Sequence, residues 1–518
     1  MTDHVLIIFF SLTSVIRNRL NDKQSTFCCY IDMQKAFDWV DRDLLFYKLV
    51  RYGIDGNMYQ AVKSLYSSPV ACVKLHNNCT DWFVTNSGVK QGDSLSPTLF
   101  CLFINDLISE INDLNLGIDI GTRQISILVF ADDIVLIGDS ENKLQAMLSH
   151  VQVWCKKWRL SVNKDKTKVV HFRNRRKKET GFKFMFDGDE IEKVSQYKYL
   201  GVVLDEHLNY DVIANVLAGA GGRALGAVLT KFRSFGNIGY NSFTKLFNCS
   251  VAPVLEYSSE VWGYRENLQC ERIQQRACRY FLGVHPKTPI LALTGDMGWV
   301  PVHIKRHRNM LRYWNRLVQM DDHRLTKKVF LYDVFKCDNN WSSEIKCILE
   351  SVDLHEVFTD LQVCNVNEVY EQCILNYNER WQLGVTLKPK LRTYITFKDK
   401  FDTEEYTKFC VSRRKRSLLA QFRMGVLPLA IETGRFKSVP LEERLCLLCN
   451  TGVIEDEIHF LCICNFYHRI RKVMYDNVCQ QHELFPTFTL EEEFQHLLVK
   501  HWKEVSVYLG TCLGTKKQ

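Results

Sequence analysis

The stretch Leu128-Val129-Phe130-Ala131-Asp132-Asp133-Ile134-Val135-Leu136-Ile137 constrains this chain more than any other. Two adjacent carboxylates stand in the middle of an apolar run rich in Val and Ile. The flanks read as two short buried strands, with the acid pair at the tight turn between them. Burying two like charges side by side is costly unless a cation neutralises them. A hairpin of this kind calls for a metal.

A third carboxylate extends the idea. Cys28-Cys29-Tyr30-Ile31-Asp32-Met33 is another strand-like run that ends on an acid, and Gln34 to Val40 reads as a turn entering a helix. One Asp at a strand end and an Asp pair on a neighbouring hairpin can hold two Mg²⁺ ions on oxygen ligands. Two such ions, roughly 3.5–4 Å apart, activate a hydroxyl and stabilise the leaving oxygens of a phosphoryl transfer. Asp38 reads as a helix-start acid, and Asp93 and Asp106 as solvated or capping residues.

The order of these segments resembles the reverse transcriptase of a non-LTR retrotransposon, of the long interspersed element type. Tyr30-Ile31-Asp32-Met33-Gln34-Lys35-Ala36-Phe37-Asp38 is similar to the first polymerase motif. Ser87 to Pro97 is similar to the second, Phe130-Ala131-Asp132-Asp133 to the third and Leu160 to Thr167 to the fourth. Tyr197-Lys198-Tyr199-Leu200-Gly201-Val202 is similar to the primer-gripping turn. One such motif alone is weak evidence; five in the family's order are specific.

The resemblance implies an RNA-directed DNA polymerase that adds dNTPs to a primer 3′-hydroxyl, with RNA template and DNA primer or target as partners. Asp32 and Asp132 are then the principal Mg²⁺ ligands and Asp133 a secondary one. Phe37 falls where the family places an aromatic gate against the 2′-hydroxyl; an ordinary core aromatic is the competing reading. Gln91 and Gly92 approach the nucleotide and template, the glycine permitting close backbone approach. Lys166 matches the lysine that protonates the departing pyrophosphate. It also reads as part of a phosphate-facing basic strip with Lys164 and Lys168. Tyr199, Leu200 and Gly201 hold the primer end.

The family also places most of its fingers, and in many members an endonuclease, upstream of the first motif. The chain therefore reads as an N-terminally truncated copy or an incomplete gene model that begins partway through the fingers. The alternative function is an inactive retroelement remnant that still binds nucleic acid. Val5 to Ile16 is apolar but too short to span a bilayer, so it reads as a buried helix leading into the first catalytic strand.

Near the C-terminus, Cys446-Leu447-Leu448-Cys449 is followed by His459 and Cys464. The two-residue spacing lets both thiolates face one ion, and His459 and Cys464 can close a tetrahedral structural Zn²⁺ site. Cys462 competes with Cys464 for the fourth position; the family's spacing selects Cys464. Ser412-Arg413-Arg414-Lys415-Arg416-Ser417 is a basic run that reads as a nucleic-acid contact, a nuclear-entry signal or an exposed helix start. Gly219-Ala220-Gly221-Gly222 has no strand leading into it and reads as close packing of small residues on a helix.

The bulk properties are compatible with this. Sixty-seven basic against fifty-nine acidic residues give a net charge of +8, which suits a polyanionic partner. Twenty scattered cysteines without a regular framework suggest reduced thiols in the nucleus and cytoplasm. No membrane partner is expected, and the oligomeric state stays open. The expected fold is α/β: a polymerase palm of antiparallel sheet plus helices, partial fingers, a helical thumb and connector, and a small zinc-binding module. The corresponding segments are 1–27 (residual fingers), 28–205 (palm), 206–300 (thumb), 301–440 (connector), 441–480 (zinc module) and 481–518 (helical tail).

Overall fold

The computed structural model describes residues 2–515 apart from Asn77, Thr122, Cys410, Val411 and Asn450. The apolar N-terminal run forms helix α1 (Thr2–Asn21), whose stretch from Phe9 to Ile16 is buried throughout. That is the buried helix expected of this segment. It leads directly into β1 (Thr26–Asp32), a strand of Cys, Tyr and Ile buried along nearly its whole length.

Three further strands complete the central sheet: β2 (Ile127–Phe130), β3 (Asp133–Gly138) and β4 (Lys168–Phe172). Their order is β4-β1-β3-β2, all neighbours antiparallel. The alternation of side chains across a strand sends β1 into two cores. Cys28 and Tyr30 enter the core shared with α1, whereas Phe27, Cys29 and Ile31 pack with helices α2 (Arg42–Arg51), α3 (Ser96–Asp113) and α4 (Glu141–Trp158). Asp41, not Asp38, caps α2, accepting the Asp43 and Leu44 amides. Asp93 does act near a helix start, accepting the Leu95 amide just before α3.

Asp106 does not cap a helix and is only partly exposed to solvent. Lys48 of α2 reaches across to it at 2.7 Å, with its side chain only 3% exposed and its ammonium 3.6 Å from the Trp158 ring centroid. Burial lowers the Lys48 pKa to about 8, opposed by the Asp106 carboxylate. A charged pair at a distance in sequence is invisible to local reading.

Beyond the sheet a two-residue hairpin, β5 (Gln196–Tyr199) and β6 (Val202–Asp205), precedes the long helix α5 (Tyr210–Phe235). Asn209 caps α5. The stretch Tyr210–Ser234 is long and apolar enough to cross a membrane by length and composition, yet Leu217, Leu225, Leu229 and Phe232 are buried in the protein core. A Cβ on Gly221 would lie 2.5 Å from the Leu255 side chain, so the small residues here serve close packing, as their sequence suggests. Helices dominate the remainder, including α6 (Leu268–Leu282), α7 (Val302–Val318), α8 (Leu325–Lys336) and α9 (Arg413–Arg423). Helix α1 packs against α8, and one apolar core runs from α1 through to the C-terminal helices.

Candidate active site

The three acids predicted to work together meet at one end of the sheet. Asp32, the last residue of β1, sits directly opposite Asp133, the first residue of β3. Asp132 lies beside them in the two-residue turn that joins β2 to β3, since Phe130 pairs with Asp133. The flanks of the acid pair are the two short strands their sequence predicts. The acids themselves are half-buried rather than enclosed, because the turn opens on solvent. Burial, then the charges of Asp132 and Asp32, push the Asp133 carboxyl up to about 6. The site thus stores repulsion that a cation would relieve.

The turn stores strain as well. Ala131 has φ of 53°, whereas Asp132 is not in the left-handed region. A single left-handed residue at the first turn position is the pattern of a type II′ hairpin, where glycine is the usual occupant. An alanine there costs on the order of 1 kcal/mol, a conformation imposed by the pairing of β2 with β3.

The segment carrying Lys166 is stitched to the end of β1. Asn163 donates its amide to the Asp32 carbonyl at 2.8 Å, Gln34 donates to the Ser161 carbonyl at 2.8 Å, and the Asp32 amide donates to the Thr167 hydroxyl at 3.2 Å. This bracing leaves the Lys166 ammonium 3.8 Å from an Asp32 carboxylate oxygen, on a side chain that is 68% exposed. Beside it a shallow groove of about 370 Å³ is lined by Asp32, Lys166, Lys168 and Tyr197 among others. Sequence reading missed Tyr197 as a structural support: its ring stacks at 4.4 Å on Tyr30, two residues before Asp32.

Phe37 combines its two readings. It stacks on the buried Phe100 at 4.8 Å yet stays half-buried. Gln91 donates to Asp38 at 3.0 Å, so Asp38 joins the two motif loops instead of starting a helix. Gly92 is needed for its φ of 89°, but nothing in the protein lies within 4 Å of a Cβ placed there. Close backbone approach inside the chain belongs to Gly88, which sequence reading passed over. A Cβ on Gly88 would sit 2.7 Å from the Asp38 carbonyl oxygen, and the Gly88 amide donates to the Val40 carbonyl at 2.8 Å.

The primer-gripping assignment needs correction in one respect. Tyr199 is 2% exposed, packs 5.0 Å from Tyr30 and turns its ring into the core rather than to the cleft. The outward part of the hairpin is its turn, where Leu200 (φ 47°) and Gly201 (φ 84°) both adopt the left-handed conformation. Tyr257 fastens that turn from below, donating to the Leu200 carbonyl at 3.0 Å.

With this geometry in place, comparison with known proteins is decisive. Residues 4–204 match the family model described as reverse transcriptase (RNA-dependent DNA polymerase). Residues 4–204 are a reverse transcriptase domain, similar to those of retrotransposable elements. The RNA-directed DNA polymerase from mobile element jockey of Drosophila funebris is 26% identical over 261 residues, covering 49% of this chain and 28% of that protein. The probable RNA-directed DNA polymerase from transposon BS of Drosophila melanogaster is 26% identical over 315 residues, covering 59% and 34%. The Pol polyprotein of the type-1 retrotransposable element R2 of Nasonia vitripennis is 27% identical over 213 residues, covering 40% and 21%. The matched region thus spans about a third or less of these relatives' length.

Outside the reverse transcriptase domain a second cluster assembles. The ligand atoms of Cys446, Cys449, His459 and Cys464 all lie within 4.8 Å of one another. Cys446 and Cys464 sulfurs are 3.9 Å apart, and the Cys449 sulfur is 3.4 Å from His459 Nε2. A tetrahedral zinc centre demands roughly 3.8 Å between two sulfurs and roughly 3.6 Å between sulfur and nitrogen, given metal–ligand lengths of about 2.3 and 2.05 Å. The donor set and its spacing fit. Local structure serves this spacing. Leu445 bridges Ile454 so that the Cys446 amide donates to the Val453 carbonyl at 2.8 Å. His459 opens a π-helical turn, His459–Ile463, that ends at Cys464, whose amide donates to the His459 carbonyl at 2.7 Å. Such wide turns often mark functional positions in helices. Cys462 lies outside the cluster; its thiol associates with Tyr475, and burial pushes its pKa up to about 12.

Proposed function

We propose that this reverse transcriptase domain copies RNA into DNA, joining deoxynucleoside monophosphates to a primer 3′-hydroxyl and releasing pyrophosphate. The observation that carries this reading is the register of Asp32 opposite Asp133, with Asp132 in the adjoining turn. An all-oxygen donor set suits a hard divalent cation such as Mg²⁺. Bound by Asp32, Asp132 and Asp133, magnesium supplies positive charge for the reacting hydroxyl and the triphosphate.

The chain's own residues do the positioning. The bond from the primer oxygen to the α-phosphorus forms as the α–β bridge breaks, so the hydroxyl proton passes to solvent water and another proton neutralises the pyrophosphate. Lys166, whose ammonium lies 3.8 Å from an Asp32 carboxylate oxygen, gives the second proton. Phe37, anchored on Phe100, crowds a ribose 2′-hydroxyl and favours deoxynucleotides. Gln91 and Gly92 face the nucleotide and template, and the Leu200–Gly201 turn supports the primer end. The finer layout follows the same reading: a palm over 28–205, a helical thumb over 206–300 and a helical connector over 301–440. The Cys446, Cys449, His459 and Cys464 cluster holds a structural zinc, with no open position for chemistry.

Primer extension by the purified chain on an RNA template with Mg²⁺ tests the proposal. The wild type extends; Asp132→Asn loses about a thousandfold or more in rate while primer–template affinity stays within about twofold, because charge stabilisation is lost and binding surface is not. Failure of the wild type to extend, with nucleic-acid binding intact, would overturn it.

A further inference from the structure

A cavity of about 890 Å³ lies far from the carboxylates. It sits between the end of α1, the loop that follows β4, the start of α5 and the segment around Tyr264. Thr26 pairs with Phe172 at this end of the sheet, and Asp32 is six residues along β1 at the other. At about 3.3 Å per residue the two places are roughly 20 Å apart.

Its lining is unbalanced in charge. Arg17, Lys23, Arg175, Arg176, Lys177 and Arg265 surround it, whereas Asp211 is the one lining carboxylate and accepts a hydrogen bond from Asn267. Arg173, also in the wall, is already neutralised by Glu206 at 2.5 Å. Among the described residues, Arg17, Lys23, Arg175, Arg176 and Lys177 have no carboxylate within ion-pair distance, and the buried Nε of Arg17 has no hydrogen-bond partner. The loop from Asn174 to Lys178 is exposed, so no packing among the described residues requires its four successive cations, Arg175 to Lys178. Two half-buried aromatics form part of the same wall. Tyr210 and Tyr264 meet edge to face at 5.7 Å, and the Arg17 guanidinium lies 5.1 Å over the Tyr210 ring.

Unpaired cations around aromatic rings are the chemistry of a single-stranded polynucleotide: phosphates meet the charges while unpaired bases find rings and guanidinium planes to stack on. We propose that this cavity is a second nucleic-acid site, which grips a single-stranded stretch of polynucleotide outside the copying cleft. The site is independent of the catalytic reading, because it needs only the cavity and its charges. RNA and DNA share the chemistry involved, so the strand that occupies it is decided by experiment.

The exposed pair Arg175 and Arg176 provides the test. Full-length wild type, R175E/R176E and a control with two exposed lysines reversed elsewhere, K437E/K500E, are titrated with fluorescent 20-nucleotide single-stranded RNA, single-stranded DNA and duplex DNA. Removing one cation that neutralises a phosphate makes the salt dependence shallower by about one unit of slope. The expected result is a loss of single-strand affinity at least fivefold beyond the control, with a salt slope shallower by about two. The stronger loss between RNA and DNA names the natural strand. A loss less than fivefold beyond the control, or an equal loss for duplex, overturns the proposal. Extension of a primer–template with a template overhang too short to reach about 20 Å should be the same for R175E/R176E and wild type. An absence of extension in both would sink the polymerase reading alone, since the binding titrations do not depend on it.

Discussion

The carboxylate site and the thiol cluster are both arranged as metal sites, and they are built in opposite ways. In the first, a rigid antiparallel sheet forces three acids together: pairing of β1 with β3 fixes Asp32 against Asp133, and the fold bears the repulsion. In the second, four neutralisable ligands converge in a loop-rich segment between short helical turns. A zinc bound there would hold the fold; at the sheet the fold would hold the ion. A metal site that acts on substrate must tolerate an empty state between turnovers, and a structural one need not.

The sharpest test of this contrast is metal removal. Chelation with a zinc-selective reagent, or Cys446→Ser, should unfold the segment around residues 441–480, because structural zinc binding is itself folding free energy of about 10 kcal/mol or more. Limited proteolysis would reveal new cleavage there, whereas Cys462→Ser should leave the segment resistant. Stripping magnesium should abolish extension while the sheet stays folded, its stability lowered by only about 1 kcal/mol through loss of the ion's binding. Equal sensitivity of both regions to chelation would break the comparison.

Next in size is the pair Gly88→Ala and Gly92→Ala. The first drives a methyl to 2.7 Å from the Asp38 carbonyl oxygen and should cost about 3 kcal/mol or more, read by denaturant melts. The second meets open space and pays only for its backbone conformation, about 1 kcal/mol. If the two cost the same, the loop bearing Gln91 is not braced against the Phe37 loop in the way described.

Asp133→Asn should produce the smallest change, and in the opposite direction. Asp133 is raised from 3.8 to about 6, so the folded state holds this proton more tightly than the unfolded one. The protonated form's stabilising share is complete below about pH 4 and is lost as pH rises through 6. At pH 8 without divalent ions Asp133→Asn should therefore gain about 1 kcal/mol, after discounting for solvent screening of a half-exposed group. The gain should vanish near pH 4 and shrink when millimolar Mg²⁺ is added to the wild type. A destabilised Asp133→Asn protein at pH 8 would show that the acids are not in conflict.

Much of the fold and the site was legible in the residues themselves. Apolar flanks around Asp132 and Asp133 betray a hairpin because strand burial leaves a direct mark on side-chain choice. The Cys446–Cys449 spacing with His459 and Cys464 is similarly local, and the observed cluster contains those four residues. The errors have a common origin. Asp38 next to a helix start looks like a cap, but Gln91, a residue distant in sequence, claims it. Tyr199 in a gripping turn looks like a primer-facing residue, but the alternation of its strand points it inward.

What the chain declares by itself are features in which neighbours in sequence are also partners in space: the acid hairpin, the thiol spacing, the buried N-terminal helix, the motif order. Tertiary structure alone decided the rest. The Lys48–Asp106 pair, the close approach of Gly88 to Asp38, and the basic cavity drawn from α1, the loop after β4 and α5 each join segments far apart along the chain. No periodicity can encode such meetings, because they depend on which faces of several elements come to lie together once the core has closed.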